Sequence, residues 1–98
     1  MVTPMDLQTQ TKIPIEELFS SRGRIKIIRE LATSSELNIT ELCKRVGLNH
    51  SSTKQHLEVL MKAGLIEEKV FGRIKIYRYR IEDMRARSLR NLIDLWES

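Results

Sequence analysis

The stretch Leu37–Glu68, LNITELCKRVGLNHSSTKQHLEVLMKAGLIEE, carries two apolar repeats of helical period with a single glycine between them. In the first, Ile39, Leu42, Cys43 and Val46 recur at i, i+3, i+4 and i+7, which lays them along one helix face. Thr40 is the expected cap of this short helix, beginning at Glu41. Gly47 stands where a left-handed terminator belongs, and Leu48 can fold back on the helix it ends. Asn49 or Ser51 then caps a second helix, with Thr53, Leu57, Leu60, Met61 and Gly64 on one face and Gly64 ending it. Its front, NHSSTKQ, is polar, small or basic for seven residues in a row. A helix that only filled a core would have little use for them.

Upstream, RGRIKIIRELATSS reads as a helix capped by Ser20 or Ser21. It places Ile25, Ile28 and Ala32 on one face, Ile27 and Leu31 beside them, and Arg24, Lys26, Arg29 and Glu30 in water. Pro14 suits the first turn of a shorter helix, Ile15 to Phe19, with Glu16 and Glu17 near its positive end. Residues 1–12 contain Pro4 and show no sustained period, so a mobile tail is expected there. SSELN reads as a turn. Downstream of Leu65 the period changes to two, and LIEEKVF and IKIYRYRI flank Gly72 and Arg73. Glycine at the first central position suits a two-residue type II′ hairpin. Tyr77, Tyr79 and Ile81 share one face of its second strand, Arg78 and Arg80 the other. The last segment, EDMRARSLRNLIDLWES, has a narrow seam of Leu89, Leu92, Ile93 and Trp96 at helical spacing.

Ninety-eight residues suit one domain, near the length at which a small core gains from burial against a partner. Hydrophobic residues make up 41% and charged residues 31%, and no apolar run approaches the length of a membrane span. The N-terminus lacks the basic start and apolar stretch of a signal peptide, and Cys43 is the only cysteine. A cytoplasmic, nucleoid-associated location is therefore expected, with no membrane partner. The net charge of +4 is unevenly placed: from Arg22 to Arg80 thirteen bases stand against six acids, so both ends together are acidic. An anionic partner for the middle follows. No nucleophile with a base beside it, phosphate-cradling glycine loop or spaced acidic pair is visible, so neither an enzyme nor a cofactor is expected.

The order helix, short helix, tight turn, helix, hairpin, helix describes a mainly α fold with a small β-hairpin, the winged helix-turn-helix. In that arrangement NHSSTKQ is the exposed leading end of a helix entering the major groove of double-stranded DNA. Ser51 and Ser52 allow close approach, Lys54 offers a mobile cation, and Gln55 can pair bidentately with adenine. His50 and Thr53 would assist, and Arg73 with Lys75 would hold flanking backbone or minor groove. The expected divisions are a tail over 1–12, a DNA-binding unit over 13–81 with recognition helix about 50–63 and wing about 66–81, and a dimerising helix over 82–98.

RIKIIRELA, ITELCKRVGLNHSSTKQHLEVLMKAGLIEE and the hairpin ending YRYRI resemble the ArsR-like winged helix-turn-helix transcriptional regulators, particularly the small archaeal ones. The resemblance spans roughly residues 15 to 81, and STKQHLEVLMKAGLI is its most specific block. It implies a dimeric DNA-binding regulator whose terminal helices form the interface, which agrees with Leu89, Leu92, Ile93 and Trp96 packing on a second copy. Metal-sensing members carry a close cysteine pair in a segment beginning ELC. Here Lys44 and Arg45 follow Cys43, which is no site for a soft metal, and no metal is expected. Cys43 is expected in the core, and His56 in a structural hydrogen bond. Three rivals share the pattern: a winged-helix module that binds protein, a sensor acting through Cys43 or an interface pocket, and a chromatin protein that coats DNA without preference.

Overall fold

The computed structural model describes residues 13–98, and the tail expected over 1–12 lies outside the described residues. A short helix α1 (Ile15–Leu18), entered through Pro14, leads to α2 (Arg22–Ser34), whose start is capped by Ser21 Oγ accepting from Arg24 N. α2 buries Ile27, Ile28, Leu31 and Ala32, whereas Ile25, expected on the same face, stays partly exposed.

The SSELN segment is more than a turn. Ser35 takes a positive φ (73°), which is uncommon for a residue with a side chain, and Glu36–Asn38 form a strand, β1. Helix α3 follows at once (Ile39–Val46), capped by Asn38 Oδ1 accepting from Glu41 N at 2.8 Å and not by Thr40. Gly47, at φ 71°, ends it by donating from its N–H to Cys43 O. Helix α4 (His50–Lys62) is capped by Asn49, and its end is a Schellman turn: Leu65 N donates to Leu60 O and Gly64 N to Met61 O, with Gly64 at φ 80°.

Strands β2 (Ile66–Phe71) and β3 (Ile74–Tyr79) form the hairpin over Gly72 and Arg73. Gly72 has φ 63° and Arg73 does not share the positive region, as a type II′ turn requires. β1 pairs antiparallel with β3, giving a sheet of order β1-β3-β2 with Leu37 opposite Tyr77. Helix α5 (Met84–Glu97) is capped by Asp83, which accepts from Arg85 N and Ala86 N.

One core joins these elements. Ile27, Ile28 and Leu31 of α2, Leu42 of α3, Leu57 and Leu60 of α4 and Tyr77 of β3 are all almost wholly buried together. That burial holds α3 and α4 as a pair, with the hairpin rising from the C-terminal end of α4. Two arginines strengthen the junction: Arg80 Nη1 donates to Gly64 O and Arg85 Nη2 to Ala63 O, each at 2.8 Å, covering carbonyls at the negative end of α4. Tyr79, buried on the same side, donates its hydroxyl to Ala86 O at 2.7 Å and so ties the sheet to α5.

Candidate nucleic-acid interface

The polar front of α4 divides by helical geometry. Leu57 and Leu60 face the core and fix which side of the first turns meets solvent, and His50, Ser51, Lys54 and Gln55 are exposed there. Ser52 is half-buried, its N–H held by Asn49 Oδ1 at 2.7 Å. Thr53 departs from the expected contact set. It is 0% exposed and its hydroxyl donates to Asn49 O at 2.9 Å, so it secures the helix start from inside. The reason lies in its own repeat, since Thr53 is four residues before Leu57 and shares its inward face.

Further exposed positions on or beside this surface carry no expected DNA contact in the sequence reading: Lys44 on α3, Asn49 at the cap, and Glu58 one turn after Lys54. Glu58 puts an acid on an otherwise basic stripe, where it can accept from a cytosine amino group or turn phosphate away. The signal was its i+4 spacing from Lys54.

His56 packs behind this front. Arg24 Nε donates to His56 Nδ1 at 3.2 Å, which places the imidazole proton on Nε2. Burial, and then the Arg24 charge, hold His56 below the usual histidine pKa, so the ring is neutral at pH 7. The structural hydrogen bond expected of His56 is present. A methyl group at Gly23 would stand 2.9 Å from Leu48 Cδ1 and 3.2 Å from His56 Nε2, which shows how closely α2 approaches α4 here.

The wing bases have different fates. Arg78 pairs with Glu67 at 2.7 Å and with Glu82 at 2.8 Å, and the second bond, with a backbone hydrogen bond behind it, holds Glu82 at a pKa of about 2. Lys69 pairs with Glu36, and Arg80 is used on Gly64 O. Arg73 and Lys75 are exposed and, among the described residues, have no acidic partner. The front of α4 and the wing tip each present exposed cations, Lys54 and Arg73 with Lys75, that have no acidic partner among the described residues.

Three apolar side chains accompany them at the tip: Val70, Phe71 and Ile74 are 56%, 58% and 55% exposed. The pattern VFGRI held the signal, because residues flanking a two-residue turn lie furthest from any core. Cys43, expected in the core, is half-buried on α3, and among the described residues no group of three or more His, Cys, Asp and Glu could hold a metal. No helix of the described residues is long and apolar enough to cross a membrane.

A separate apolar surface is made by α1, α2 and α5. Ile15, Phe19, Ile25, Met84, Leu92, Leu95 and Trp96 are exposed on it, beside a cavity of about 490 Å³ under α1 and α5. The expected seam of α5 divides: Leu89 and Ile93 pack on their own core, and Leu92 and Trp96 remain exposed, joined by Leu95.

Comparison with known proteins agrees with this architecture. Residues 21–68 match the description "Bacterial regulatory protein, arsR family". A 41-residue stretch is 46% identical to an HTH-type transcriptional regulator of Pyrococcus abyssi (strain GE5 / Orsay), covering 42% of this chain; the chain spans about a quarter (26%) of the length of that curated relative. The structure is similar to one described as "Possible transcriptional regulator for arsenical resistance", with TM-score 0.65 and 29% identity over 87% of this chain and 85% of that one. HlyU from Vibrio cholerae N16961 shares the fold, with TM-score 0.70 and 20% identity over 95% of this chain and 94% of its own.

Proposed function

Because this chain belongs to the ArsR-like winged helix-turn-helix regulators, we propose that it regulates transcription by binding double-stranded DNA as a homodimer, with α4 in the major groove and the wing on flanking DNA. The observation that carries this reading is the division of α4 into a buried apolar half and an exposed front of His50, Ser51, Lys54 and Gln55. Ser51, Ser52, Lys54 and Gln55 read bases or seat the helix, His50 assists, and Thr53 acts from within by holding the first turn. Arg73 and Lys75 hold backbone beside the site. Because their charges are not neutralised by neighbouring acids, they are available to displace counterions from phosphates. The unit so described occupies residues 13–81.

The apolar surface of α1 and α5 supports the dimer. Leu92, Leu95 and Trp96 lie on one side of α5 with Phe19 and Ile25 near them, a patch that a second copy related by a two-fold axis would cover. Residues 82–98 are thus the dimerising helix. Selection of bound sequences from random duplex at physiological salt tests the whole proposal. The expected result is an enriched inverted repeat with half-sites about 34 Å apart, one turn of the double helix. A flat outcome with salt-sensitive binding would assign the protein to DNA coating, and weak binding indifferent to salt would reject DNA as the partner.

A further inference from the structure

The tip of the wing pairs a basic turn with an apolar end that the protein leaves bare. Phe71 and Ile74 are directly opposite across the turn, on the same face of the hairpin as Ile76, while Val70 and Lys75 oppose each other on the other face. Exposure rises along the hairpin from 3% at Ile66 and 1% at Tyr77 to more than half at Val70, Phe71 and Ile74. Cross-strand pairing of Phe71 with Ile74 adds little to the hairpin and does not by itself explain why both stay more than half exposed. It does not account for Val70 on the reverse face, nor for three large apolar side chains at the point furthest from the core.

Charge identifies the occupant. From Lys69 to Arg80, KVFGRIKIYRYR contains no acid, and Arg73 and Lys75 beside the apolar residues have no acidic partner among the described residues. We infer that the wing tip is a wedge, with Phe71 and Ile74 entering the minor groove between base steps while Arg73 and Lys75 neutralise the phosphates on either side. This rests on the DNA-binding reading above and adds a deformation to it.

The dimensions require that deformation. Paired strands stand about 4.8 Å apart before their side chains are counted, and the minor groove of ordinary duplex is about 6 Å wide. A two-stranded tip therefore seats only by opening the groove, and apolar side chains then replace part of the lost base stacking. Side chains used in this way kink duplex by about 20–90° toward the major groove. The energy of opening depends on the steps beneath the tip, with TA and CA/TG the most easily unstacked. The wing thus selects sequence at positions it does not hydrogen-bond.

Ligase-catalysed ring closure of linear duplexes of about 150 bp, near one persistence length, tests the wedge with the full chain. The wild-type protein is expected to raise the yield of circles severalfold. The double variant Phe71→Thr with Ile74→Thr, which keeps strand-forming residues, is expected to bind with the same salt dependence and lose that gain. Emission of 2-aminopurine placed at TA steps provides a readout that needs no variant: it should rise on binding as bases unstack. Salt-sensitive binding that leaves ring closure and emission as in free DNA overturns the wedge while the DNA-binding reading stands, and it assigns the apolar tip to a protein partner with an acidic surface. A double variant that folds and bends DNA as the wild type does also overturns it. Failure to bind duplex at low salt overturns both.

Discussion

Gln55 and Arg73 are both exposed polar residues, and they should fail in different ways. Gln55 sits on the leading turns of α4, where a planar amide can match one base edge. Gln55→Ala should cost about 1–3 kcal/mol on the preferred site and relax preference at particular base pairs. Arg73 carries a charge at the wing turn, and Arg73→Ala should weaken binding to every sequence alike and lower the salt slope by about one unit. Titrations of both variants against selected and random duplexes at several salt concentrations check this; equal losses on both duplexes for both variants would contradict the roles. His56 makes a separate prediction at this scale. Its folded-state pKa lies below that of the unfolded chain, so the unfolded chain takes up the proton first. Its contribution is complete above about pH 6.5 and declines as the pH falls through that value. Thermal melting at about pH 7.5 and 5.5 should show a loss that His56→Gln reduces, since glutamine can still accept from Arg24 without charging. The carboxylates held low by arginine, such as Glu82 at about 2, weaken the fold only at pH values well below this window. Residue identities in α4 were legible because the period of its apolar side shows which residues face away. Thr53 shows the limit: its hydroxyl suits either a groove or a helix start, and only its place four residues before Leu57 separates the two.

Secondary-structure elements with long local patterns were readable in the same way; those made by distant partners were not. The hairpin, α4 and α5 announce themselves by period and by their turn or cap residues. β1 has three residues, too few for alternation to show, and exists because Glu36–Asn38 find β3 about forty positions away. Its presence moves the start of α3 forward to Ile39 and makes Asn38, not Thr40, the cap. Ser35, at a positive φ, completes the change of direction without the glycine that such a turn usually signals. At the other end of β3, Tyr79 is the joint between sheet and terminal helix. Burial, foremost, pushes its hydroxyl up to about 12, so it remains a donor to Ala86 O throughout the working range. Tyr79→Phe should lower stability by about 1 kcal/mol, read by denaturant unfolding, with faster amide exchange in α5 than in α3. Equal exchange in the two helices would show that the joint does not hold α5.

As a whole, the protein carries two contrasting surfaces: exposed cations at the α4 front and wing, and exposed apolar side chains at α1 and α5. Trp96 is the only tryptophan and is 83% exposed in a single protomer, so its fluorescence reports the apolar side alone. If that side joins two copies, emission should shift to the red on dilution as the indole meets water, in step with a halving of mass by sedimentation. Trp96→Ala combined with Leu95→Ala should give a monomer that keeps its fold and loses preference for inverted repeats. The sequence showed an amphipathic seam in α5 but not its division, because Leu89 and Ile93 are drawn inward by a core whose shape depends on α2.

The grips of Arg80 and Arg85 on the C-terminal carbonyls of α4 have a consequence for operators. In the proposed dimer they would bolt each α4 to the α5 segment through which the two copies would meet, leaving little slack between the two reading heads. A dimer built this way behaves as a fixed ruler. Inserting half a helical turn, about five base pairs, between half-sites would put them on opposite sides of the duplex. Two-headed engagement should then collapse to that of one head, whereas a whole-turn insertion would restore angular alignment but not the span.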